Sequence, residues 1–198
     1  WQVRRRCSLQ NRNRIWWRMQ KHANRNILPP KSRNSHVELP LHTAHGDRGL
    51  KIAVLADTHI PKKARELPAR ALEIINQSDM LIHAGDILTE EFLQYLRCMI
   101  TVHAVLGNND TGINLPQKLQ IEAEGVKLAV IHDSGPSKGR ACRMRRLFPE
   151  ADAVIFGHSH MPMNFEEEGI LLFNPGSATD KRRQPNHTMG TLDVLNGS

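Results

Sequence analysis

The sequence predicts a mixed α/β fold with at least two sheet regions, and two observations carry that expectation. Between Leu50 and Leu106 short apolar runs alternate with amphipathic stretches, the pattern of strands joined through helices. From Lys118 onward, alternating segments face each other across Gly-containing turns, the pattern of hairpins.

The elements follow in order. Residues 51–56 (Lys-Ile-Ala-Val-Leu-Ala) form a continuous apolar run, as expected of a strand buried on both faces. Leu67, Ala71, Ile74 and Ile75 fall on one helical face, and Pro68 is tolerated in a first turn. Residues 80–84 read as a second buried strand. Thr89 is placed to cap a helix that has Glu90 and Glu91 at its positive end and Phe92, Leu93, Leu96 and Met99 as its apolar stripe. Residues 101–106 make a third strand, and 118–122 and 127–131 pair across Glu124-Gly125. Arg140–Leu147 reads as a basic helix and 153–156 as a strand. Met163–Glu167 and residues 170–173 form a hairpin around Gly169. The last apolar stretch, 191–195, runs into Asn196-Gly197-Ser198.

Charge separates this region from what precedes it. The chain of 198 residues has a net charge of +7. Residues 1–50 hold 11 Lys/Arg against Glu38 and Asp47, giving +9, while the remainder holds 16 Lys/Arg and 18 Asp/Glu, giving −2. The basic end also carries Trp1, Trp16 and Trp17, and it lacks any sustained period. Arg and Lys interleaved with Trp suit a phosphate backbone or an anionic membrane surface. The linker composition of residues 24–35 favours a disordered tail instead, so the expected organisation is a disordered basic extension at 1–49 and a domain at 50–198. No apolar run approaches the roughly 18 to 20 residues of a membrane helix, and none resembles a secretory leader. Cys7, Cys98 and Cys142 are odd in number and form no Cys-x-x-Cys pair, which argues against a disulfide scaffold or a thiolate zinc site and points to a reducing cytoplasm.

The chemistry sits just after the strands. The first runs into Asp57-Thr58-His59, the second into Gly85-Asp86, and the third into Gly107-Asn108-Asn109-Asp110. The strand ending at 131 meets His132-Asp133, and the one ending at 156 meets Gly157-His158-Ser159-His160. Ligands of open α/β sheets gather outside the carboxyl ends of strands, so Asp57, His59, Asp86, Asn108, His132, His158 and His160 can line one crevice. Imidazole, carboxylate and amide oxygen without thiolate suit Mn²⁺, with Fe²⁺, Zn²⁺, Ni²⁺ or Mg²⁺ as alternatives. Seven donors exceed one tetrahedral site but serve two divalent ions of four protein ligands each if a carboxylate bridges, and Asp86 is the candidate bridge because it stands alone in its motif. His83 and His103, just inside their strands, read as ordinary side chains.

Gly-Asp, Gly-Asn-x-Asp and Gly-His-x-His in this order resemble the calcineurin-like metallophosphoesterases. Asp57-Thr58-His59-Ile60-Pro61, Asn174-Pro175-Gly176-Ser177 and the short domain are similar to the small phosphodiesterase branch that also contains the retromer scaffold subunit. The resemblance implies two mixed β-sheets packed face to face with helices outside, an αββα sandwich. It implies one metal on Asp57, His59, Asp86 and His160 and a second on Asp86, Asn108, His132 and His158. It also implies a hydrolase, a phosphodiesterase-like phosphoric ester hydrolase that uses a two-metal-activated hydroxide, with the cations about 3.5 to 4 Å apart. Asp86 and Asn108 are then the catalytic candidates.

Two departures from the family matter. Many members carry His after the Gly-Asn, where it protonates the leaving oxygen; Asn109 stands there and cannot act as an acid at neutral pH, so good leaving groups, often diesters, are favoured. Relatives also usually add another strand after residue 195; without it the fold is expected either to lose stability or to present an open edge that pairs with another chain, which leaves oligomers open. The expected partner is a small phosphate ester, with nucleic acid less favoured and no membrane. The Asn174-Pro175-Gly176-Ser177 turn and the cluster of Lys138, Arg140, Arg143, Arg145 and Arg146 are secondary candidates for phosphate contact. The competing readings are a non-catalytic metal-binding interaction scaffold of the same fold, and a nuclease.

Overall fold

In a computed structural model, residues 14–21 and 49–195 are described, the first of these segments through its backbone. In chain order the elements are β1 (Arg14–Lys21), β2 (Leu50–Leu55), α1 (Ala69–Asn76), β3 (Met80–His83), α2 (Glu90–Arg97), β4 (Val102–Ala104), β5 (Lys118–Ala123) and β6 (Val126–Ile131). They continue with α3 (Arg140–Leu147), β7 (Ala153–Ile155), β8 (Met163–Glu167), β9 (Ile170–Asn174) and β10 (Thr188–Leu195).

The strands build two five-stranded sheets, ordered β1-β10-β2-β3-β4 and β5-β6-β7-β9-β8. In the first, β2, β3 and β4 run parallel and β10 antiparallel to β2. In the second, β6, β7 and β9 run parallel, flanked by antiparallel β5 and β8. Strand periodicity sorts the side chains into layers. Ile52, Val54 and Ala56 point between the sheets and meet Leu128, Val130, Ile155 and Phe173. Ala53 and Leu55 point the other way, onto Ala71, Ile74 and Ile75 of α1 and Phe92, Leu93 and Leu96 of α2. On the far side, Ala129, Val154 and Leu172 pack under Ala141 and Met144 of α3. The molecule is therefore the αββα sandwich that the resemblance implies. The Thr89 hydroxyl accepts the Phe92 amide at 3.2 Å, the cap expected for α2.

One expectation needs correction. Residues 1–49 read as disordered, yet Arg14–Lys21 forms a strand paired antiparallel with β10 over its whole length. The physical reason is tertiary: the outer edge of β10 offers unpaired backbone groups, and Arg-Ile-Trp-Trp-Arg-Met-Gln-Lys has the aromatic and branched residues that suit a strand. The edge expected to be open is covered by this chain's own segment. The rest of the extension, 1–13 and 22–48, lies outside the described residues.

Candidate metal centre

Ligand loops leave the carboxyl ends of β2, β3, β4, β6 and β7, all at the same end of the sandwich, and the structure brings every sequence-predicted donor to one place. Asp57, His59, Asp86, His132 and His160 are buried, with exposures of 0%, 6%, 1%, 4% and 1%, while Asn108 and His158 stand exposed at the mouth. Asp57, His59 and His160 place one donor atom each within 4.8 Å of one another, as do Asp57, Asp86 and His132. Asp86 lies between the two groups: its Oδ2 is 3.5 Å from His59 Nε2 and 3.5 Å from His132 Nε2. Asn108 Oδ1 completes the second group, 2.9 Å from both His132 Nε2 and His158 Nδ1. His59 Nε2 and His160 Nε2 approach to 3.3 Å in the first.

Backbone geometry produces this convergence. Asp57, His59, Asp86, His158 and His160 adopt left-handed φ values of 54°, 46°, 58°, 65° and 57°. Such conformations cost on the order of 1 kcal/mol or more each and persist where the surroundings dictate them. They turn the chain sharply at the strand end so that a side chain is aimed inward. The glycines of the motifs admit the close approach. A Cβ on Gly107 would lie 2.1 Å from Asp86 N and 2.2 Å from its Oδ1, and one on Gly157 would lie 2.9 Å from Asp57 Oδ2.

Further contacts fix the imidazoles. His132 Nδ1 sits 2.7 Å from Ala84 O, and His160 Nδ1 bonds the carbonyl of Asp180. With Nδ1 turned to a carbonyl, Nε2 is the nitrogen directed into the cluster, and it is the atom that would ligate once it carries no proton. Burial lowers the pKa of His59 and of His160, so both favour the neutral form. Burial opposes charging of His132 too, but the Asp86 and Asp57 carboxylates outweigh it and raise that pKa. The two carboxylates diverge. Burial pushes Asp57 up to about 7, with the Asp86 charge adding to the rise and His132 opposing it. Burial acts likewise on Asp86, yet bonds from His132 and Asn109 hold it well below the ordinary carboxylate range. Asp57 Oδ2 is buried without a hydrogen-bond partner. An orphaned carboxylate oxygen beside the imidazoles of His59, His132 and His160 and an ionised second carboxylate is a donor set that fits divalent cations.

Several residues support the site through contacts that the sequence did not reveal. The Asp110 carboxylate accepts the amides of Asp86 at 3.1 Å, Leu88 at 2.7 Å and Gly107 at 2.8 Å, clipping two ligand loops together. Ser177 Oγ donates to Asp57 O at 2.7 Å and Thr179 Oγ1 to Thr58 O, so the Asn174-Pro175-Gly176-Ser177 turn buttresses the first ligand loop. His83 is buried, its pKa pushed down by burial to about 3, and its Nε2 lies 3.1 Å from Thr58 Oγ1. The basic helix is engaged elsewhere. Arg143 donates to the carbonyls of Ser134 and Pro136, Arg145 to those of Pro149, Ala151 and Gly169, and Arg140 to Gly135 O while lying over the Phe156 ring. These three guanidiniums clamp loops.

An αββα sandwich whose strand ends converge carboxylates, imidazoles and an amide on a cation-sized space defines a metallophosphoesterase class of protein. The chain belongs to the calcineurin-like phosphoesterase superfamily, whose domain it matches over residues 50–197. It is 36% identical over 154 residues to a probable metallophosphoesterase of Methanocaldococcus jannaschii, covering 75% of this chain and 80% of that protein. In fold it is similar to Vacuolar Protein Sorting 29 from Cryptosporidium parvum, with a TM-score of 0.67 and 24% identity over 76% of this chain and 88% of the other. It is also similar in fold to an archaeal phosphodiesterase, with a TM-score of 0.58 and 21% identity over 74% of this chain and 99% of the other. No helix among the described residues is long and apolar enough to cross a membrane.

Proposed function

We propose that the chain is a phosphodiesterase that works with two divalent cations, Mn²⁺ foremost. Asp57, His59, Asp86 and His160 would hold one ion and Asp86, Asn108, His132 and His158 the other, a division supported by the position of Asp86 Oδ2 between His59 and His132. Cations held there would supply the Lewis acidity for attack of water on phosphorus. The chain's own groups orient and exclude: buried Asp57, Asp86 and His160 set the floor, while the exposed Asn108 amide and His158 face the incoming ester.

The observation that carries the diester reading is the state of Asn109. Its side-chain N–H donates to Asp86 Oδ2 at 2.6 Å, and an amide has no proton to give a departing alkoxide. Substrates whose leaving oxygen needs little protonation are therefore favoured. The scaffold alternative has less support, because each position expected to ligate holds a competent donor. The test compares bis(p-nitrophenyl) phosphate with an alkyl phosphate monoester on the Mn²⁺-loaded chain. A preference for the activated diester of at least about a hundredfold in kcat/KM, roughly 2.7 kcal/mol, supports the reading; equal turnover of the alkyl monoester overturns it.

A further inference from the structure

A cleft of about 430 Å³ opens beside the metal-ligand cluster, with His59 and Asn109 on its wall and Lys62, Lys63, Arg182 and Asp180 also lining it. The charges do not balance. Lys63 Nζ lies 3.9 Å from Asp180 Oδ2, the same carboxylate that faces His160 Nδ1 at 3.9 Å. Lys62 has no ion pair among the described residues. Arg182 holds a left-handed φ of 46° and donates Nη1 to His158 O at 3.4 Å, which places its guanidinium beside a ligand loop. The arginines of α3 differ, since three of them are occupied by carbonyls. Here a surplus of cations shares a confined space with His59 of the cluster and with Asn109, which bonds Asp86, the setting in which fields focus on an anion.

We propose that this cleft binds a second anionic group of the substrate, a phosphate or a carboxylate, so that the substrate class is a phosphoester carrying at least one further negative charge. The inference rests on the phosphoesterase reading. Arg182 is the specificity-determining residue, because a guanidinium fork matches either anion through two N–H groups, and Lys62 adds a mobile point charge.

Uncleavable probes test this by equilibrium binding to the metal-loaded full chain, freed of excess metal: propylphosphonate with one anionic head, propane-1,3-bisphosphonate with two, and 4-phosphonobutyrate with a carboxylate as the second. The bisphosphonate should bind at least about tenfold more tightly than propylphosphonate, beyond the roughly twofold that two equivalent ends provide. Arg182→Gln should shrink that ratio, and Arg182→Gln with Lys62→Gln should bring it to about twofold. An equal gain with 4-phosphonobutyrate assigns the cleft to anions in general, and a gain confined to the bisphosphonate assigns it to phosphate. If propylphosphonate binds but the second head adds nothing, or its gain survives the double substitution, the inference fails and the phosphoesterase reading stands. If none of the three binds, both fail together.

Discussion

Asn109 grips Asp86 at both carboxylate oxygens, its backbone N–H donating to Oδ1 at 2.8 Å and its side-chain Nδ2 to Oδ2 at 2.6 Å. These bonds help keep Asp86 ionised and fix the plane of a carboxylate that neighbours His59 and His132. Asn109, at the place where the resemblance leads one to expect a leaving-group acid, thus orients the candidate ligand Asp86.

Substitution at Asn109 should separate those roles. Asn109→Ala removes one charge-assisted bond, so Mn²⁺ should bind more weakly and turnover should fall by about tenfold. Asn109→His restores a titratable group, and the dependence of kcat/KM on leaving-group pKa across a series of aryl and alkyl diesters should become less steep. A slope unchanged from that of the parent would show that protonation at this position is not what limits the substrate range.

The Asp57 carboxyl makes a pH prediction for the metal-free chain. Its folded pKa of about 7 lies above the ordinary 3.8, so the folded state holds its proton more tightly. The associated stability is fully present below 3.8 and is lost as the pH rises through about 7. Asp57→Asn should therefore stabilise the EDTA-treated protein relative to the parent at pH 8, and this advantage should shrink by roughly 2 kcal/mol on going to pH 5. Thermal melts across that range check it, and a difference that does not vary with pH contradicts it. The same proton must leave when a cation binds, so Mn²⁺ affinity should also rise with pH through neutrality.

The loop clamp at α3 carries a stability prediction. Arg143 donates from Nε and Nη2 to Ser134 O at 3.0 and 2.8 Å, and from Nη2 to Pro136 O at 2.5 Å. Arg143→Ala should cost about 2 kcal/mol in denaturant unfolding, because partly buried carbonyls lose charge-assisted donors. The affinity for a single-stranded oligonucleotide should stay as it was. A loss of oligonucleotide binding without a loss of stability would return this helix to the role of a phosphate-binding face.

What the sequence made legible was local. Each candidate ligand follows its strand within a few residues, and the glycines before Asp86, Asn108 and His158 mark the close approaches, so the candidate donor set could be read from strand ends. The supports were not legible because they join distant segments: Ser177 reaches Asp57 across 120 positions, and Asp180 meets His160 across 20. Arg182, Lys62 and Lys63 likewise come together only through the fold. β10 illustrates a second cause. The sequence reads a strand from 191, but the strand begins at Thr188 and runs through Gly190, where a Cβ would strike the Phe173 ring at 2.3 Å. The β1 strand has no period to detect; the open edge of β10 selects it.

The most direct test is hydrolysis of bis(p-nitrophenyl) phosphate by the metal-stripped full chain as Mn²⁺ is returned, with the parent beside Asp86→Asn. Turnover by the parent should rise with added Mn²⁺ to a plateau at two bound ions per chain, and Asp86→Asn should fall below it by at least about a thousandfold, roughly 4 kcal/mol of transition-state stabilisation. A metal-loaded parent without turnover, or an Asp86→Asn protein that keeps it, would contradict the account.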